Sequence, residues 1–211
     1  MTTRLLKRQY IYDGAQRILH WWLACSVIAL AATGLIASNM EAGGGRAYTW
    51  DLHILAGMAL ITGFAGRLVW GLIGPEHARF KSLIHIKTWI ESAKTRQMTT
   101  ADSEFGHHKQ ASASYVGFYG LVALMCMTGV TLAGILHGEG PLAESLLDEL
   151  ENVRIIGKVH EYGGWAIAFF AVTHVMAMIF HEWRDQIPIS QSMISGFQYR
   201  TSKKGEKDES K

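Results

Sequence analysis

The chain has 211 residues, with 20 Lys and Arg set against 18 Asp and Glu for a formal net charge of +2. That balance gives no basic excess of the kind that nucleic acid requires. Its two cysteines, Cys25 and Cys126, make neither a disulfide framework nor a CxxCH signature for covalent haem attachment, and read as small apolar packing residues.

Arg4, Lys7, Arg8 and Arg17 lead into the first apolar run, which carries no charge from Ile18 to Ala37. A basic segment before an apolar one is also the pattern of a cleaved signal peptide, but this run is long for one and holds His20, Trp21 and Trp22. A retained span over about 17–37 is expected. The second run, about 51–73, is interrupted only by His53 and Arg67, after the opening Asp51. Between the second and third runs lie Arg79, Lys81, Lys87, Lys94, Arg96 and Lys109. Phe80, Leu83, Ile84, Ile86, Trp89 and Ile90 recur there at near-helical spacing, which suits either a helix in the inner headgroup region or local packing over the bundle.

The third run, about 114–136, is uncharged. After it, Leu142, Leu146, Leu147 and Leu150 stand among Glu144, Asp148, Glu149 and Glu151, a pattern for a docking face or for local packing. The fourth span, about 160–182, holds His160, His174 and His181. Residues 1–184 thus form the membrane domain and 185–211 a cytoplasmic tail, charged and expected to be disordered from Thr201 onward. No internal repeat stands out.

Each run has about the 20 residues that a helix needs to cross hydrocarbon. Buried helices of a soluble protein would show shorter runs and amphipathic stripes. The fold class expected is all-α, an integral membrane four-helix bundle. Arg184, Arg200, Lys203, Lys204, Lys207 and Lys211 follow the last span, whereas the two remaining loops hold only Arg46, Arg154 and Lys158. The positive-inside rule therefore places both termini and the central loop in the cytoplasm.

An ionisable ring inside a span is costly and marks a functional site by default. Topology gives each histidine a depth: His20 lies early in a helix that starts inside, and His53 early in one that starts outside. His160 and His174 share the last span at opposite levels, separated by about 21 Å of helix and projecting from nearly one side. The depth-matched pairs are His20 with His174 and His53 with His160. Two imidazole pairs on facing helices suit two six-coordinate haems in the bundle core, an arrangement for electron transfer. A zinc or other transition-metal transporter would need several ligands converging on one small site.

Arg67 lies fourteen residues after His53, at the inner level, where its guanidinium can pair with a haem propionate or extend to the interface. Gly34, Gly57, Gly120 and Gly134 would allow close approach of a flat macrocycle, or ordinary helix packing. Periodicity alone leaves His181, His137, His107 and His108 as other ligands or as interfacial proton relays.

Arg17-Ile18-Leu19-His20-Trp21, His53 with Gly57, Arg67-Leu68-Val69-Trp70-Gly71, and His160 with Thr173-His174-Val175 together resemble the bacterial cytochrome b-561 and nickel-hydrogenase b-type cytochrome family. Gly106-His107-His108 resembles that family's turn before the third span, although His108-Lys109 replaces the Asn-Pro often found there. The resemblance covers nearly the whole chain. It implies two non-covalent b-type haems, and its fourteen-residue separation of the last-helix ligands selects His174 over His181. It also implies a membrane electron carrier, or the cytochrome subunit of an oxidoreductase, in the bacterial cytoplasmic membrane. Electrons would pass between the quinone pool and a periplasmic cytochrome c or a membrane-attached, hydrogenase-like partner. The acidic outer loop, with Glu139, would attract a basic cytochrome c or seat such a partner. A self-contained superoxide or quinone oxidoreductase and a haem-containing anchor subunit are the alternatives.

Overall fold

Hydrocarbon offers a peptide backbone no hydrogen-bond partner but itself, so long uncharged runs fold as helices. The computed structural model describes residues 6–80, 111–141 and 153–201. In chain order these form strand β1 (Leu6–Tyr10), helices α1 (Gly14–Asn39) and α2 (Gly44–Ile73), a 3-10 turn (Glu76–Ala78), helices α3 (Ala111–His137), α4 (Val153–Asp185) and α5 (Ser192–Ser195), and strand β2 (Phe197–Thr201). The protein is mostly helical, and α1 to α4 are long and apolar enough to cross a membrane. The surface helices expected around Trp89 and Leu146, the turn at His107 and His108, and the tail beyond residue 201 lie outside the described residues.

Every long helix overruns the apolar run that announced it. Hydropathy marks only the part suited to hydrocarbon, whereas helical hydrogen bonding continues until a cap or a breaker stops it. Asp13 opens α1, with its Oδ1 accepting the Gln16 N–H at 3.0 Å. Its Oδ2 accepts the Trp70 indole N–H at 3.2 Å, which ties the first turn of α1 to the last turn of α2. The short connection over residues 40–43 returns the chain antiparallel, and α2 stops at Gly74 before Pro75. At 33 residues, α4 is about 50 Å long and emerges from an apolar layer of about 30 Å. It ends where Gln186 takes φ 54, two residues before Pro188.

The helices pack as two hairpins, α1 on α2 and α3 on α4, joined through α2 and α3. Leu60 and Phe64 of α2, Val122 of α3 and Ile167 of α4 form the buried centre, flanked by Leu23, Val27 and Leu30 of α1. Ile28, Leu35, Leu55, Leu72, Met127, Phe169 and Val172 stand on the outside. So continuous an apolar exterior calls for lipid. The hydroxyls of Thr33, Thr62, Thr128, Thr131 and Thr173 each donate to the carbonyl one turn back, so these donors are satisfied without water.

A feature that hydropathy did not announce closes the bundle at one end. β1 and β2 pair antiparallel, with Tyr10 opposite Phe197 and their rings edge-on at 5.4 Å. The bend into β2 is made at Gly196, φ 85, whose carbonyl accepts the N–H groups of Ile11 and Tyr12. A Cβ there would lie 2.6 Å from both the Tyr10 ring and the Tyr12 carbonyl, so only glycine fits. Arg17 donates to the Ile194 carbonyl and the Trp21 indole to that of Met193 at 3.0 Å. Both ends of the described chain therefore meet beside the start of α1.

Candidate cofactor site

His53 sits in the third turn of α2 and His160 in the second turn of α4, both half-buried. Packing brings their rings together, with centroids 6.3 Å apart and planes inclined by 78°. Each ring lies against the neighbouring helix of its own hairpin at a glycine. A Cβ on Gly34 of α1 would stand 3.2 Å from His53 Cε1, and one on Gly129 of α3 would stand 3.1 Å from His160 Cε1. The residue before each glycine is a threonine. Thr33 Oγ1 is 3.1 Å from His53 Nδ1, and Thr128 Oγ1 is 2.8 Å from His160 Nδ1.

A hydroxyl has one proton. Thr33 donates its own to the Ala29 carbonyl at 2.7 Å, and Thr128 to that of Leu124 at 2.9 Å. With those protons on the carbonyls, both oxygens are left to accept toward the histidines, which suits a ring proton on each Nδ1; the His53 ring also has a hydrogen bond with the Leu30 backbone. That tautomer leaves a basic nitrogen on each ring. Reading the sequence missed these threonines. The Thr-Gly dipeptide stands at Thr33-Gly34 and Thr128-Gly129 but also at Thr62-Gly63 in the second span, so the sequence alone carries no signal that singles these two out.

At the other level, His20 of α1 and His174 of α4 are near enough to interact electrostatically. The His174 ring stacks on Phe170 at 6.2 Å, and Phe170 on Phe118 at 4.4 Å, which ties its position to α3. His181 has a different neighbour, because its Nδ1 lies 3.6 Å from Asp185 Oδ2 one turn on. His137 is exposed at the end of α3. Among the described residues no three His, Cys, Asp or Glu side chains gather around a common point.

Arg67 is 5 % exposed. Its guanidinium stands over the rings of Phe80 at 5.1 Å and Tyr119 at 5.6 Å, and one amino group donates to the Ala78 carbonyl at 3.3 Å. The other, Nη1, is buried without a hydrogen-bond partner among the described residues. Desolvating a cation is costly, and no carboxylate among the described residues pairs with it, so this group is suited to an anion from outside the chain. Of the glycines expected to admit a macrocycle, Gly34 instead admits the His53 ring, and Gly57 faces Leu30 across the first hairpin. Gly120 opens onto free space.

Four helices long and apolar enough to cross a membrane, with the His53 and His160 rings brought together between two of them, suit a multi-pass membrane protein. The chain belongs to the family described as prokaryotic cytochrome b561, which matches residues 11–196. It is similar to a probable Ni/Fe-hydrogenase B-type cytochrome subunit of Rhodobacter capsulatus, 29% identical over 208 residues that cover 88% of this chain and 78% of that one. Proteins of the same description from Bradyrhizobium diazoefficiens and Azotobacter vinelandii are each 28% identical, over 216 and 211 residues, covering 89% and 88% of this chain and 84% and 85% of theirs. No solved structure matches the chain.

A b-type cytochrome holds haem b, and the donor set fits that group. Two metal–imidazole bonds of about 2 Å, added to the radii of two five-membered rings, give about the centroid separation seen between His53 and His160. With the ring protons on Nδ1, beside Thr33 and Thr128, the Nε2 atoms would serve such a bond. A flat metal complex carrying acidic side arms also matches the orphaned Nη1 of Arg67.

Proposed function

We propose that this b-type cytochrome carries electrons across the membrane through two haem b groups, one held by His53 and His160 and the other by His20 and His174. The observation that carries the reading is the ring pair of His53 and His160, 6.3 Å apart, each with a threonine hydroxyl within hydrogen-bond distance of its Nδ1. These four imidazoles would hold the haem iron, which when bound would supply one-electron chemistry. The chain's own part is to orient the four rings, keep water from the centre with Leu60, Phe64, Val122 and Ile167, and present the Arg67 cation to a propionate. Because His160 and His174 lie about 21 Å apart along α4, one helix supplies a ligand at each level of the membrane.

Positive charge concentrated near both termini and in the central loop supports an orientation with those segments in the cytoplasm, which makes the His53–His160 level periplasmic. The relatives' descriptions support a hydrogenase-like partner; quinone is the exchange partner proposed inside the membrane. A periplasmic cytochrome c is the other candidate partner for the acidic outer loop. That loop, from Glu144 to Glu151, lies outside the described residues, whereas Glu139 is exposed just after α3.

The test is a pyridine haemochrome assay with a redox-titrated visible spectrum on the purified protein. Two b-type haems per chain are expected in the parent. One is expected in His53→Ala and in His160→Ala, and one in His20→Ala and in His174→Ala, with the first two variants losing the same redox couple. No haem in the parent, or two in the His174 variant, would overturn the assignment.

A further inference from the structure

We infer that Thr33 and Thr128 are positioning residues that fix the tautomer of the His53–His160 pair and, through it, set the reduction potential of the haem the pair holds. The inference rests on the ligand assignment above and goes beyond it. Its basis is a construction made twice. In each hairpin a threonine on the first helix donates to the carbonyl one turn back, and its oxygen stands 3.1 Å or 2.8 Å from the Nδ1 of a histidine on the second; the His53 ring has in addition a hydrogen bond with the Leu30 backbone, so Thr33 shares its role there and Thr128 is the stronger case. In each hairpin the next residue is a glycine whose missing Cβ lets the ring lie close enough to make that bond.

The two hairpins differ in length, with a sequence separation of 20 from Thr33 to His53 and 32 from Thr128 to His160. A shared geometry despite that difference points to the pairing itself. The inner level lacks it: among the described residues neither His20 nor His174 has a hydroxyl bonded to its ring, and the Thr173 hydroxyl is taken up by Phe169 and Phe170.

The physical consequence follows from which atom accepts. An Nδ1–H that donates to a fixed oxygen gives the ring some imidazolate character and raises the basicity of Nε2. A more basic axial nitrogen favours the ferric state, so both threonines hold the potential of this haem down, and the other haem is untouched. Removing one neutral hydrogen bond should raise the ferrous-to-ferric ratio at a fixed potential by about threefold to tenfold, the upper figure being about 59 mV for a one-electron couple.

The experiment compares Thr33→Val and Thr128→Val, which keep the side-chain shape and remove the hydroxyl, with Thr33→Ser and Thr128→Ser, which keep the hydroxyl. All are purified as the haem-loaded protein beside His53→Ala. Haem per chain, both midpoint potentials and the low-spin electron paramagnetic resonance signals are recorded. The expected result is two haems in every threonine variant, with an upward shift in both valine variants of the one couple that His53→Ala lacks. That couple's resonance signal should change with it, and the serine variants should keep parent values.

Loss of that haem in the valine variants alone would support the inference as well, since the hydroxyl would then be needed for retention. Unshifted potentials in both valine variants, while His53→Ala still lacks a couple, would overturn the inference and leave the ligand assignment standing. So would equal loss in valine and serine variants, which would mean packing alone. Two haems retained in His53→Ala would overturn both.

Discussion

Arg67 shows how a single residue can be expensive in one state of a protein and useful in another. Among the described residues its guanidinium is buried between Phe80 and Tyr119, one backbone carbonyl is its hydrogen-bond acceptor, and Nη1 is left over. Replacing a buried, incompletely paired cation by an apolar residue of similar length is commonly neutral or stabilising. Arg67→Met should therefore leave the haem-free protein at least as stable as the parent in detergent. If Nη1 receives a propionate, the same change should weaken retention of the His20–His174 haem by about 1.5–3 kcal/mol, the range for a hydrogen bond to a charged group. It should also lower that couple's midpoint, because an electron then enters a site with less positive charge. Thermal melts with and without haem, together with a redox titration, measure both effects. A stability loss of equal size in the two forms would mean that Arg67 serves the bundle and not the cofactor.

Between helices, the two hairpins are closed by glycines that meet different neighbours. A Cβ on Gly63 of α2 would come within 2.5 Å of Trp22 Cδ1 and 3.0 Å of its Nε1, and that indole is held by a 2.8 Å bond to the Ala59 carbonyl. A Cβ on Gly163 of α4 would come within 2.5 Å of Met125 Sδ, near the free end of a flexible thioether. Gly63→Ala must therefore displace a hydrogen-bonded ring, whereas Gly163→Ala need only turn a methionine. The first should cost about 1–3 kcal/mol, the overpacking range, and the second distinctly less. Thermal unfolding in one detergent would rank them, and equal losses would show that Trp22 yields as readily as Met125. Asp13 belongs to the same scale, because its two oxygens serve the first turn of α1 and the Trp70 indole at once. Asp13→Ala should cost about 1 kcal/mol for the cap alone, read as a lower melting temperature.

For the molecule as a whole, the β1–β2 ribbon requires both ends of the described chain to lie at the same face of the bundle. Four crossings also return the chain to the side where it began, so strand pairing and span count agree. Charge then distinguishes the faces, and reporters fused at either terminus should both be active in the cytoplasm, while one inserted beside Glu139 should report the periplasm. Opposite results at the two termini would contradict the ribbon. Removing residues 197–211 should leave haem content unchanged and lower thermal stability, because the Tyr10–Phe197 contact is lost without touching any histidine.

Run length, histidine spacing and the placement of basic residues carry a large part of this protein without help from its structure. They yield four candidate spans and, with the motifs, the family, because hydrocarbon permits only helix and a helix converts residue number into distance along the span. Rotation and contact are another matter. That His53 faces His160, that His181 is occupied with Asp185, and that Gly34 clears a histidine ring depend on how two helices pack. No single helix encodes that in its own periodicity.

The ribbon was hidden because its strands lie at opposite ends of the chain and neither carries an alternating pattern long enough to read alone. Thr33 and Thr128 were hidden for a related reason. A threonine in an apolar span is ordinary until a ring nitrogen from another helix arrives within 3.1 Å or 2.8 Å of it. Distance along each span was a property of the sequence; partnership was decided only when the hairpins closed.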